Sequence, residues 1–162
     1  MFSEGAKRFL EDLGSALSDH VIRWYVVEDE YSTLIFEKPS VFDRTENMVF
    51  AVTMSSVEDG MILFDLLITV MSHIPEESFE EIHRLSEDVN NAAMIGKFLL
   101  VEDVADLVCS HGIILDASSP AGETAANIIS SLGIMEFCAI KYGARVYEKL
   151  YGNPENDNDN NV

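Results

Sequence analysis

Residues 76–116 read EESFEEIHRLSEDVNNAAMIGKFLLVEDVADLVCSHGIILD. Glu76, Glu77, Glu80 and Glu81 crowd the start, where a helix dipole favours anions. Phe79, Ile82, Leu85, Val89 and Ala92 or Ala93 recur at helical spacing and form one apolar stripe. Pro75, just ahead, suits the first helical position, where its missing N–H costs nothing. Gly96 suits the backbone change at the exit. Residues 97–101 and 107–115 then read as two apolar strands, joined by an acidic turn around Glu102 and Asp103. A helix, a tight exit and a hairpin form the unit around which the chain is arranged, with strands before it to extend the sheet and a helix after it to cover the sheet.

Upstream, residues 2–18 place Phe2, Phe9, Leu10, Leu13 and Leu17 on one helical face, with Glu4, Glu11 and Asp12 towards water. Residues 20–27 turn β-like: Ile22, Trp24 and Val26 alternate with Arg23, Tyr25 and Val27. Glu28, Asp29 and Glu30 make a turn into residues 31–37, which Pro39 ends because it cannot donate a ladder hydrogen bond. A polar loop over residues 40–47 carries Asp43, Arg44 and Glu46. Residues 48–54 alternate again, and Asp59-Gly60 marks a hairpin turn. Residues 61–71 have one wholly apolar face, Ile62, Phe64, Leu66, Ile68 and Val70; the other is mixed, with Leu63, Asp65, Leu67 and Thr69. That pattern predicts an interior strand with helices on the first face and a partly covered second face.

Downstream, Ser119 reads as an N-cap with Pro120 at the first helical position, and Gly152 and Pro154 form the stop. A helix from about 120 to 151 is roughly 45–50 Å long at 1.5 Å per residue, with Gly133 and Gly143 as points where it could bend or break. One stripe is Ala125, Ile128, Leu132, Met135, Ala139, Tyr142 and Val146; a second is Ile129, Ile134, Phe137, Ile140 and Tyr147. A helix apolar on more than one side needs more than one neighbour, supplied by a subunit interface or by burial within the monomer. Residues 153–162 have no apolar anchor before Val162 and are expected to be a disordered acidic, Asn-rich tail after a single domain over residues 1–152.

The totals narrow the function classes. At 162 residues and 48% apolar, the chain can bury a core without metal or disulfide staples. Its 29 acids against 10 bases give a formal charge of −19, which repels phosphates and anionic lipid and favours basic proteins or peptides, or simply solubility. No Lys or Arg lies between Arg44 and Arg84, or between Lys97 and Lys141. The start, MFSEGAKRFLEDLG, lacks the apolar core of a signal peptide, and the apolar run 61–71 is too short to span a bilayer, so a cytoplasmic protein is expected. Cys109 and Cys138 sit among apolar neighbours and read as buried free thiols, a disulfide being the alternative.

Catalytic and metal signatures are missing. His20, His73, His83 and His111 have no metal-ligand spacing. Asp157 to Asn161 mimic the start of an EF-hand loop but lack its glycine and its closing glutamate. There is no nucleophile elbow, phosphate loop or dinucleotide fingerprint. No enzyme, cofactor or metal is expected. Lys141, Arg145 and Lys149 are the one foothold for nucleic acid, and they equally complement a helix C-terminus.

Leu66-Leu67 before Pro75, Asn90 six residues before Gly96, the strand opening Gly96-Lys97-Phe98, a second hairpin strand and a closing helix make a progression. It resembles the YbjN family, the group described as bacterial sensory transduction regulators, over roughly residues 4–150. The chain departs from that family in lacking a glycine-rich acidic turn after Val101 and in the length of its closing helix. The resemblance implies an α+β fold like that of class I type III secretion chaperones: an antiparallel sheet flanked by helices, in the order α-β-β-β-β-α-β-β-α, often homodimeric and without cofactors. It supplies no catalytic residue. The expected activity is therefore non-catalytic binding or regulation of other proteins, by a homodimer. The alternatives are a chaperone holding an extended segment and a small ligand-binding domain or enzyme. The expected partner or dimer surface is Leu63 and Leu67 with Ile134, Phe137, Ile140 and Tyr147.

Overall fold

The strand at Met61–Met71 (β4) keeps Phe64, Leu66 and Ile68 wholly shielded from water on one face, and this is where the core sits. In the computed structural model, which describes residues 2–42, 45–56, 58–92 and 95–152, β4 pairs on both sides. The other strands are Arg23–Glu28 (β1), Ser32–Pro39 (β2), Asn47–Ser56 (β3), Lys97–Val101 (β5) and Asp106–Asp116 (β6). They form a six-stranded, fully antiparallel sheet in the order β1-β2-β3-β4-β6-β5. With helices Phe2–Leu17 (α1), Phe79–Ala92 (α2) and Ala121–Tyr151 (α3), the fold is α+β in the expected element order.

Alternation in each strand sends one set of side chains to a shared face. Phe36, Phe50, Ile68, Cys109 and Phe98 lie side by side in register, as do Leu34, Val52 and Leu66. Ala6, Leu10 and Leu13 of α1, Ile82 and Val89 of α2, and Ile128, Met135 and Ala139 of α3 close over this face in one cluster. Phe36 and Phe50 stack with centroids 4.8 Å apart. Burying a side chain of this size contributes about 1.5–3 kcal/mol.

Several local expectations shift. The first strand begins at Arg23, because Ser18–His20 forms a 3₁₀ turn that lets the chain leave α1. Pro75 is extended and precedes a 3₁₀ turn, Glu76–Ser78, so α2 proper opens at Phe79. Pro120 rather than Ser119 is the cap of α3; it is extended, and its carbonyl accepts from Glu123 and Thr124. Ala92 is exposed, and Ser86 joins Ile82 and Val89 in the buried stripe. Ala93, Asp43, Arg44 and the tail 153–162 lie outside the described residues, as do the side chains of Phe2 and Glu4. The Asp59-Gly60 turn forms as expected, both residues having positive φ.

Two glycines do definite work. Gly96 has φ +77, and a Cβ there would stand 2.8 Å from Cys109 Sγ, so the exit from α2 admits no side chain. Gly143 does not break α3; a Cβ there would meet Phe42 Cζ at 2.6 Å and Val70 Cγ1 at 2.9 Å. Gly133, in the same unbroken helix, faces open space. Gly143→Ala should therefore lower the urea-unfolding free energy by about 1–2 kcal/mol through overpacking. Gly133→Ala should raise it by about 0.5–1 kcal/mol through helix propensity. Equal effects of the two substitutions would contradict this packing.

Candidate binding surfaces

Because α1, α2 and α3 all pack on one side, the second face of the sheet carries no covering element among the described residues. β4 was expected to have a partly covered second face; no helix among the described residues lies on it, yet Leu63, Leu67 and Thr69 are half-buried there and Asp65 is exposed. Register arranges this face in rows. One runs Tyr25, Ile35, Ala51, Leu67, Ser110, Lys97, and beside it run Val27, Thr33, Thr53, Asp65, Gly112. Arg23, Glu37, Val49, Thr69, Val108 and Leu99 make a third, and Ser55, Leu63 and Ile114 a short fourth. Ile114 is 58% exposed and Leu99 51%. With the end pairs Met61–Asp116 and Val101–Asp106, this face carries two bases, Arg23 and Lys97, and four acids, Glu37, Asp65, Asp106 and Asp116, a formal −2 in a chain of −19.

Leu63 and Leu67 lie on this face, half-buried. Ile134, Phe137, Ile140 and Tyr147 lie on α3, across the sheet, so the six residues expected to share a surface occupy two. Phe137 is 68% exposed and Ile134 50%, whereas Ile140 and Tyr147 are half-buried and Tyr147 stacks on Phe42. The residues that sequence reasoning missed are Tyr25, Ile35, Leu99 and Ile114; their alternation was legible, but which face the helices would choose was not.

The sheet has a second feature, an unfilled edge. β5 pairs with residues 106–110 of β6, and residues 111–116 of β6 have no strand on their outer side among the described residues. The outer edge of β5 is closed by Asn90, whose Nδ2 donates to Phe98 O at 2.9 Å and whose Oδ1 accepts from Phe98 N at 2.7 Å.

Titratable groups do not converge. His83 Nε2 lies 2.7 Å from Glu102 Oε1, with both side chains about half exposed on the surface. His111 is half-buried on the core side of β6, opposite Leu66. Among the described residues no group of three or more His, Cys, Asp or Glu could hold a metal, and no helix is long and apolar enough to cross a membrane. Cys109 and Cys138 are free thiols; burial pushes Cys109 up to about 12, which leaves it an inert apolar side chain, while Cys138 is only half-buried. Lys149 is committed to Glu81 of α2 at 3.2 Å, and Lys141 sits 5.7 Å from the Tyr142 ring.

At the edge of the open face, Glu37 forms a polar cluster with Arg23 and Asn47. Oε1 accepts from Arg23 Nε at 2.8 Å, and Oε2 from Asn47 Nδ2 at 3.0 Å. The Arg23 hydrogen bond holds the Glu37 carboxyl below the ordinary glutamate value, against a desolvation that works the other way, and Asn47 adds to the lowering. A carboxyl lowered in the folded state stabilises the fold above its unfolded value, and that contribution is lost as pH falls through the folded value. Glu37→Gln should thus cost stability near pH 7 and cost less as pH drops below about 4. Urea midpoints at the two pH values test this; an identical cost at both would dismiss the linkage.

No family model matches the chain, and no curated protein matches it.

Proposed function

We propose that this chain is a non-catalytic, cytoplasmic, protein-binding and regulatory domain of the YbjN type that works as a homodimer. The observation that carries the reading is the sheet face around Leu67, Leu63, Tyr25 and Ile114, which no helix among the described residues covers and which holds little of the chain's charge. An exposed apolar field of this kind marks an interaction surface. Six strands about 4.8 Å apart and four rows deep offer roughly 600 Å² per copy, so two copies bury about 1,200 Å², the lower end of a standard interface. In a chain of −19 this is the surface on which two copies meet at least electrostatic cost. The outer side of α3 at Ile134 and Phe137 is then left for a protein partner. The dispersed histidines and the exposed His83–Glu102 pair support a non-catalytic reading over an enzyme.

A second reading, a secretion chaperone-like protein holding an extended effector segment, is favoured by the unfilled edge of β6 at residues 111–116. A strand added there would take its main-chain hydrogen bonds from β6 and its side-chain specificity from Ile113 and Leu115 on one side and Ile114 on the other.

Light scattering at about 100 μM should give twice the 18.1 kDa chain mass. Leu67→Glu, which places a charge at the centre of the face, should weaken association at least about tenfold with the fold retained by circular dichroism. A monomeric native chain at that concentration removes the dimer. The chaperone reading requires copurification of one abundant partner in a near-stoichiometric complex, and its loss when Ile114 is replaced by Pro to block strand addition.

A further inference from the structure

At the far end of β4, three departures from regular geometry meet around one cleft. Pairing of β4 with β6 jumps from Thr69–Val108 to Met71–Leu107, leaving a bulge at Val70. Beyond it His73 adopts φ 60, a left-handed conformation that a non-glycine residue holds only where its surroundings impose it. Opposite, Gly143 of α3 lets the Phe42 ring lie directly against the helix backbone. The cleft between them has a volume of ≈ 240 Å³ and is lined by Phe42, Glu46, Val70, His73, Tyr147 and Tyr151.

Its wall is aromatic. Phe42 and Tyr147 stack with centroids 6.2 Å apart at 22°, and Tyr147 meets Tyr151 at 4.8 Å. Its polar lining is Ser40, Glu46, Ser72 and His73; Glu46 is the acid among them, half-buried, and its backbone carbonyl accepts from Ser40 N at 3.1 Å. The Glu46 carboxylate has no ion pair or hydrogen bond among the described residues, whereas Glu37, Glu81 and Glu136 are paired with Arg23, Lys149 and Lys38.

We propose that this cleft binds the head of an organic cation, an alkylammonium or guanidinium group. Ring faces carry partial negative charge and attract cations, alkyl groups next to the cationic centre pack against Val70, and Glu46 supplies the counter-charge. A cleft of this volume has room for a trimethylammonium group or the end of a basic side chain. The field of a −19 chain concentrates cations at its surface and excludes phosphorylated ligands. The free small molecule and the side chain of a basic peptide share this chemistry, and two probes separate them.

The probes are choline and Nα-acetyl-lysine N-methylamide, with 3,3-dimethylbutan-1-ol as the uncharged counterpart of choline. Each is titrated to about 10 mM into ¹⁵N-labelled full-length chain, following amide shifts of residues 40–42, 46, 72–73 and 147–152. At least one cation should saturate these shifts, with affinity at least about tenfold above the alcohol's. Choline binding alone assigns a free quaternary ammonium; binding of the lysine probe alone assigns a basic peptide segment. Glu46→Gln, which removes charge from a side chain with no partner among the described residues, should weaken binding about tenfold, and Tyr147→Leu should weaken it as well, each with an unchanged circular dichroism spectrum. The proposal is overturned if neither cation binds, if the alcohol binds as well as the cations, or if a folded Glu46→Gln chain binds as tightly as the native one.

Discussion

The fold depends on the one-sidedness of β4. Ile62, Phe64, Leu66, Ile68 and Val70 project to one face, and a period of two leaves that strand no choice about where its helices go. β3 and β6 inherit the same face through register, and β2, β1 and β5 through them. α1 closes over β1 and β2, α3 over β4, and α2 over β5, so every helix is spent on the same side. An exposed second face is the direct consequence, and any binding by the flat of the sheet has to use it.

Small polar devices hold the periphery to this plan. Asn90 at the end of α2 acts as a one-residue strand against Phe98, satisfying the backbone of the edge strand and fixing the angle at which the chain leaves through Gly96. Asp116 accepts from the backbone and hydroxyl of Ser118 and turns the chain towards α3. Surface ion pairs such as Lys7–Glu28 add little by comparison, since exposed pairs contribute about 0–1 kcal/mol. Of the residues that carried the family resemblance, Asn90 and Gly96 therefore have a structural explanation that is independent of it.

Much of the fold was legible because it is written in short-range periodicity. The alternation over 61–71, the hairpin turn at Asp59-Gly60, the exit at Gly96 and the long closing helix needed only neighbouring residues. Helix openings were misplaced by one to four residues at Pro75 and Ser119, because an X-Pro step signals a turn without saying whether a 3₁₀ turn or an extended cap follows. The binding surfaces were only half legible. Leu63 and Leu67 were visible as the mixed face of a strand, but whether Phe137 lies beside them or across the sheet is set by which face α3 covers, a long-range choice. The aromatic cleft was not legible, since Phe42, Glu46, His73 and Tyr147 come from three distant segments with no motif. Gly143 looked like a helix breaker when its role is to admit Phe42.

Net charge need not oppose association on the open face. Only a formal −2 of the chain's −19 falls on that face, so most of the negative charge is carried by helix exteriors and turns. Two copies meeting sheet to sheet would hold their helix layers outward, each about 10 Å from its own sheet. Opposing helix charges would then be separated by well over the Debye length of about 8 Å at physiological salt, and their repulsion would be largely screened. An approach through the helices would instead bring Glu77, Glu80 and Glu87 of one acidic layer, all exposed, against the same residues of another. The asymmetry that β4 imposes on the fold thus also ranks its surfaces electrostatically: for the proposed dimer, contact through the sheet costs less than contact through the acidic helix layer.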